Sequence, residues 1–171
     1  MNRLVRSQTQ LAVLVISVLG CASSQTATPD RAANLPRYDF AKLTGTDLAL
    51  KILDHRAEAT DSAEWVARLT ADFSAVLSRV GVHIVPSATT VLEVRLLQAR
   101  SDFESQQWKG CSKVAAELSP VAAGGHPISV SSDRCVTKSN LWGNATASRV
   151  LAQAYQDSLA ELLSDLDREL R

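Results

Sequence analysis

Apolar positions along this chain form one dense run, interrupted only by Ser17, and, beyond it, two kinds of periodicity. The run spans residues 11–19, follows Arg3 and Arg6, and lies in a stretch without a charged side chain from Ser7 to Ala27. It is too short for the roughly 20 residues of a bilayer-spanning helix and fits the apolar core of an export signal. Residues 22–36 are rich in Ser, Thr, Ala and Pro with little apolar content, which predicts a flexible tether. Residues 46–54 then alternate, with Leu48, Leu50 and Ile52 on one side and Asp47, Ala49 and Lys51 on the other, as a strand does. From an N-cap at Ser62, the positions Trp65, Leu69, Phe73, Val76, Leu77 and Val80 recur at helical spacing until Gly81, a suitable C′ residue. Residues 82–85 read as a short strand stopped by Pro86, and residues 89–99 as a longer one carrying Leu92, Val94 and Leu96 on one face. Residues 100–107 are polar and read as a loop. The chain closes on a helix capped by Asn144 or Thr146, with an apolar row at Leu151, Tyr155, Leu159, Leu162, Leu166 and Leu170. Its acidic residues Asp157, Glu161, Asp165, Asp167 and Glu169 read as a solvated face.

Residues 108–118 and 127–136 are two more candidate strands around a turn at 120–125. Folded about Ala123, they place Cys111 opposite Cys135, Lys113 opposite Asp133, Ala116 opposite Val130 and Leu118 opposite Ile128. One register therefore aligns two cysteines, pairs opposite charges and gathers Val114, Ala116, Leu118, Ile128, Val130 and Val136 on a single face. Opposed Cα atoms at a non-hydrogen-bonded site stand about 4.5 Å apart, within disulfide reach, so a bond between Cys111 and Cys135 is expected. Two helices over a mixed, mostly antiparallel sheet of about four to five strands, both packed on one face, bury both helical rows. The fold class is therefore α+β.

The end of the apolar run, Val18-Leu19-Gly20-Cys21, resembles the bacterial lipobox, although Val18 and Leu19 depart from its commonest form. That resemblance implies a signal peptide over residues 1–20 and acyl chains, palmitate among them, on Cys21 as the first mature residue. Cleavage near residues 22–24, leaving a soluble secreted protein, and a short uncleaved anchor are the rival readings. The expected organisation is a lipidated Cys21 and tether over residues 21–45, then one domain over 46–171. Ala22, where an Asp would signal inner-membrane retention, implies an outer-membrane lipoprotein facing the periplasm. An acylated Cys21 leaves Cys111 and Cys135 as a pair, which suits a disulfide in an oxidising compartment. Two of the 18 Lys and Arg precede Cys21 and none of the 18 Asp and Glu does, so the chain from Cys21 onward has a net charge near −2. That balance argues against a nucleic-acid partner and against a strongly polyanionic partner surface.

Candidate chemistry is sparse. His55, His83 and His126 stand in no metal-ligand spacing, neither Cys111 nor Cys135 lies in a CxxC pair, and there is no GxSxG, P-loop or GxGxxG pattern. No metal, no cofactor and no catalytic residue is expected. His83 reads as a structural histidine within an apolar strand, and Asp54 beside His55 is a poor dyad because neighbours in a strand face opposite ways. Trp108 and Trp142 flank the hairpin and offer either a contact patch for a partner or packing at the edge of the core. With the lipobox, the strand at 47–54, the helix end Arg79-Val80-Gly81-Val82 and the strand at 91–98, the element order resembles small envelope lipoproteins: the lipopolysaccharide-assembly (LptE-like) type, the YajG-like type and the auxiliary lipoproteins of lipid-transport ABC systems. The resemblance implies a non-catalytic accessory, membrane-bound through Cys21, that binds an envelope protein or a lipid-like ligand. A secreted or periplasmic enzyme and a purely structural surface lipoprotein are the alternatives.

Overall fold

The computed structural model describes residues 24–25, 28–29, 32–57, 59–119, 125–139 and 144–171. Its elements are β1 (Ser24–Gln25), β2 (Asp47–Asp54), α1 (Ser62–Arg79), β3 (His83–Ile84), β4 (Val91–Glu104), β5 (Gln107–Leu118), β6 (Ile128–Ser139) and α2 (Asn144–Glu169). The sheet runs β3-β2-β4-β5-β6, and β1 adds to the edge of β4 beyond the end of β2. Pairing is parallel from β3 through β2 to β4 and antiparallel elsewhere. Both helices share one core with a single face of the sheet, so the α+β architecture expected from the periodicities is the one observed.

The hairpin of β5 and β6 has the register derived from the sequence. Cys111 faces Cys135, Lys113 faces Asp133, Ala116 faces Val130 and Leu118 faces Ile128, and the two cysteines form a disulfide. The helix ends are equally local in origin. Gly81, at φ +78°, lets the Val82 and Gly81 amides turn back onto the carbonyls of Leu77 and Ser78, while the buried Val82 closes the turn from outside. At the other end, Asp61 rather than Ser62 is the N-cap of α1. It makes no side-chain cap bond, because its carboxylate is used elsewhere.

Three expectations need correction. The polar stretch 100–107 is not a loop. It forms the ends of β4 and β5 with a tight turn at Ser105 and Gln106, both left-handed at φ 51° and 62°. Such a turn commonly advertises itself with Asn-Gly or Asp-Gly, absent here. The alternation was hidden as well: β4 carries a bulge between Leu96 and Gln98, so the inward positions change from Leu92, Val94 and Leu96 to Ala99, Ser101 and Phe103.

Nor is the tether free throughout residues 21–45. Ser24 and Gln25 already pair with Asp102 and Ser101. Residues 32–45 lie across the helices as a strap, with Leu35, Phe40 and Leu43 in the core and Tyr38 stacked on Phe40 at 5.6 Å. Those apolar residues follow no regular period, so composition alone suggested a linker. Third, Asp167 does not belong to a solvated face. It is buried and accepts the backbone N–H groups of Asp39 (3.1 Å) and Phe40 (2.7 Å), fixing the strap to α2.

The helix α2 lies closest to the sheet at Gly110. A Cβ there would stand 2.5 Å from the Val150 carbonyl carbon and the Leu151 nitrogen, both backbone atoms that cannot swing aside. The substitution Gly110→Ala therefore lifts α2 off β5. It should cost about 3 kcal/mol in urea unfolding at neutral pH. Loss of the disulfide, which closes a sequence separation of 24 residues, should cost a similar amount, about 3 kcal/mol, on the chain-entropy argument. Cys111→Ser, Cys135→Ser and the double variant should show the same loss, because each removes the same bond.

Candidate functional site

The strongest concentration of buried charge starts where β2 ends. Arg56 folds back on Asp54 in a bidentate pair, Nε to Oδ1 at 3.0 Å and Nη2 to Oδ2 at 2.7 Å, and Nη2 also reaches Asp61 at 2.8 Å. The side chains of Arg56 and Asp54 are only 6% and 2% exposed. The other oxygen of Asp61 accepts the Trp65 indole N–H at 3.0 Å, and the guanidinium carbon lies 5.3 Å from the centre of that ring. Nη1 of Arg56 is buried and has no hydrogen-bond partner among the described residues; the cation–π contact with Trp65 offsets part of that cost. Burial raises the Asp54 carboxyl, but hydrogen bonds from Arg56 and Ser62 outweigh it and hold the group below the usual carboxylate range. The same pair holds Arg56 above its ordinary value despite burial.

Arg56 lines one wall of a cleft of about 390 Å³ at the bulge of β4, opposite Leu97, Gln98, Arg100 and Lys113. The bulge builds this cleft by inserting Leu97 as the extra residue of β4. Arg100 is paired with Asp102 at 3.1 Å and Lys113 with Asp133 at 3.6 Å, both half-exposed contacts that exchange readily with a competing anion or water. The cleft thus offers cations, an amide and a small apolar floor. That suits recognition of a polar or anionic group and supplies no nucleophile.

A smaller groove of about 300 Å³ lies where the strap meets the end of α1, between Pro36, Tyr38, Val76 and Val80, with Arg37 and Arg79 at its rim. Burial, with the nearby charge of Asp167, pushes the Tyr38 hydroxyl up to about 12, and it donates to the Ala160 carbonyl at 3.2 Å. The helix-free face of the sheet carries a charge row from Lys51 through Glu93 and Arg95 to Glu117. Glu93 and Glu117 are directly opposed, and Arg95 bridges the two carboxylates.

The anticipated site residues fall differently. Cys21 and Trp142 lie outside the described residues. Trp108 is not a surface anchor: it is 5% exposed and packs with Ala147 and Val150 of α2, beside Phe103 at 5.1 Å. This is the core-edge packing of the two readings offered for Trp108, with Phe103 contributed by the stretch read as a loop. His83 is not buried in an apolar strand. It is exposed on the edge strand β3, 3.5 Å from Asp47, and His55 and His126 are exposed too. Sequence reasoning missed Arg56 because its partners come from the end of a strand, Asp54, and the start of a helix, Asp61 and Trp65. Its one local signal was the close spacing of Asp54, Arg56 and Asp61 before a helix.

No protein-family model matches the chain, and no curated protein is significantly similar to it. Among solved structures, lipoprotein GNA1162 from Neisseria meningitidis is 14% identical with a TM-score of 0.43, over 68% of this chain and 99% of that one. The PelC dodecamer from Paraburkholderia phytofirmans gives 17% identity and a TM-score of 0.44, over 84% and 97% of the two chains. Rare lipoprotein B from Shewanella oneidensis gives 14% and 0.42, over 72% and 92%. These likenesses concern the fold alone.

Truncating Arg56 tests the buried cluster. Arg56→Ala leaves a buried Asp54 ionised and without its counter-ion, held only by the residue-56 amide and Ser62, which should cost about 3 kcal/mol at pH 7. The pH dependence has a definite sign. The carboxyl of Asp54 titrates lower in the folded chain than in the unfolded one, so its stabilising contribution is present above about pH 4 and is lost as the pH falls through the folded value. The gap between wild type and Arg56→Ala in denaturant titrations should accordingly narrow below about pH 4.

Proposed function

We propose that this chain is a bacterial envelope lipoprotein, held by acyl chains on Cys21, whose domain serves as a non-catalytic accessory for an envelope protein or a lipid-like ligand. The observation that carries the reading is the arithmetic of the thiols. Of the three cysteines, Cys111 and Cys135 are joined to each other, and the third is the small-residue-flanked cysteine that ends the apolar leader. A disulfide between strands favours an oxidising compartment, and export through that leader would deliver the chain there. Cys21 is then the one thiol left for attachment, and several acyl chains on one residue give firm anchoring because each buried methylene adds roughly 0.8 kcal/mol.

Recognition rather than chemistry is the proposed work of the domain. The bulge-side cleft presents Gln98, Arg100 and Lys113 beside an Arg56 already paired with Asp54 and Asp61, and the strap groove presents Arg37 and Arg79 above apolar walls, so a polar or anionic group is the proposed ligand chemistry. The three histidines are exposed, on the segment after β2, on β3 and before β6, and none lines either cleft. The outer membrane, facing the periplasm, is the proposed address, on the ground that Ala22 and not Asp follows Cys21.

Metabolic labelling with a clickable palmitate analogue in a bacterial host tests the anchor. The wild-type chain should incorporate label and sediment with membranes. Cys21→Ser should lose the label and leave the membrane fraction. Incorporation unchanged by Cys21→Ser would overturn the assignment.

A further inference from the structure

We infer that the β4–β5 hairpin end of the domain is the end held against the bilayer, its rim of Gln107, Lys109, Lys138 and Ser139 meeting lipid headgroups. The inference rests on the lipid-anchor reading and adds an orientation to it. Its basis is the pairing of β1, where Ser24 lies opposite Asp102 and Gln25 opposite Ser101. Asp102 is two residues from the end of β4, and β1 runs antiparallel to that strand, so the start of β1 is directed at the turn formed by Ser105 and Gln106. Cys21 stands three residues before Ser24. A chain of that length reaches at most about 10 Å.

The consequence is best seen against the alternative. A free tether from Cys21 to the start of β2 would have an r.m.s. span of roughly 27 Å and impose no preferred face. The strand β4 has 14 residues, and its two ends stand roughly 45 Å apart. An anchor within about 10 Å of one end therefore fixes which end touches the membrane. The opposite end carries Ser87 and His126.

The surface chemistry of the near end agrees. Lys109, Lys138 and Glu104 are exposed there, and the charges of Arg100 and Asp102 offset each other. The local balance is cationic, although the chain beyond the leader is slightly acidic, and exposed lysines beside a membrane are drawn to its anionic lipids. Among the described residues, Ile84 is the large apolar side chain most open to solvent, and it pairs with Leu48 at the far end of the sheet. The described residues of the near end thus present polar and charged groups suited to headgroups. The aromatic pair Phe103 and Trp108 sits behind this rim as packing.

The test uses the full acylated chain carrying either Gln107→Cys or Ser87→Cys, both exposed positions, labelled with a maleimide fluorophore while Cys111 and Cys135 remain joined. Each is reconstituted into phosphatidylethanolamine and phosphatidylglycerol vesicles containing a lipid with a nitroxide on its headgroup. Quenching at position 107 should exceed that at position 87 several-fold. A ten-residue Gly/Ser insertion after Ala22 should abolish the difference. Equal quenching at the two sites in chains that float with the vesicles would overturn the orientation and leave the anchor intact. Chains that carry no acyl mass and fail to float would remove the anchor, and the orientation with it.

Discussion

The helical face of this domain depends on how near α2 lies to the middle of β4 and β5. The residues under the helix there are Ala99, Ser101, Gly110 and Ser112, small and nearly all fully buried, with Ser158 of α2 donating to Ser112 at 3.0 Å. Larger side chains stand on either side: Leu92, Val94, Leu96 and Val114 toward one end, Phe103 and Trp108 toward the other. The result is one main core and one satellite, separated by a waist where backbone meets backbone. The bulge at Leu97 makes this arrangement available to a strand of 14 residues. Without the change of parity, Arg100 and Asp102 would point at α2 in place of Ala99 and Ser101. Desolvating those charges would cost several kcal/mol each.

Buried carboxylates then tie the remaining pieces to that core. Asp72 of α1 accepts the Tyr155 hydroxyl of α2 at 2.8 Å and the Ala33 amide of the strap at 3.3 Å, with Arg68 3.9 Å away. Burial and the neighbouring Asp72 charge raise the Tyr155 hydroxyl far above its ordinary value, so it remains a donor throughout the physiological range. Asp167 serves the strap from the other helix. Burial acts to raise it, but the Phe40 and Asp39 amides and Arg171 prevail and hold it below its ordinary value. Each carboxylate answers to donors from more than one segment. Cutting one set of bonds therefore leaves a charge in a dry place, which is why these contacts specify position more than they add net stability.

The parts of this fold legible in the sequence were those whose pattern repeats with a fixed period. The helical rows from Trp65 and from Leu151 were readable, as was the cysteine-centred register of β5 and β6, because each position predicts the next. What escaped had its cause elsewhere. The bulge broke the alternation of β4 in its middle, so Ala99, Ser101 and Phe103 could not be joined to Leu92, Val94 and Leu96 by counting in twos. Ser105 and Gln106 adopt left-handed conformations that neither residue type advertises. The strap residues Leu35, Phe40 and Leu43 fill gaps between helices already in place, a tertiary event that leaves no local period. In the candidate cleft, Gln98 and Lys113 fall in stretches that read as strands, whereas Arg56 lies between the strand at 46–54 and the helix from Ser62, where no period places it. Its burial follows from Asp54 and Asp61 arriving on two sides.

These layers bear on how the chain is held at both ends of the sheet. The strand β6 is an edge, paired along one side with β5, and its outer side chains are mostly exposed. A long unpaired edge invites addition of a foreign strand, and charged side chains discourage it. Here Asp133, Arg134 and Lys138 supply those charges, while the disulfide and the contacts of Ser132 and Arg134 with Glu161 of α2 fix the strand in register. Across the sheet, β1 pairs with Ser101 and Asp102, within the stretch of β4 beyond Leu96 that β2 leaves open. The same short strand therefore also sets where the chain before Ser24 enters the domain. Edge protection and the point at which the N-terminal segment enters the domain are two consequences of one pair of backbone contacts, and with the proposed anchor at Cys21 the same contacts would orient the domain.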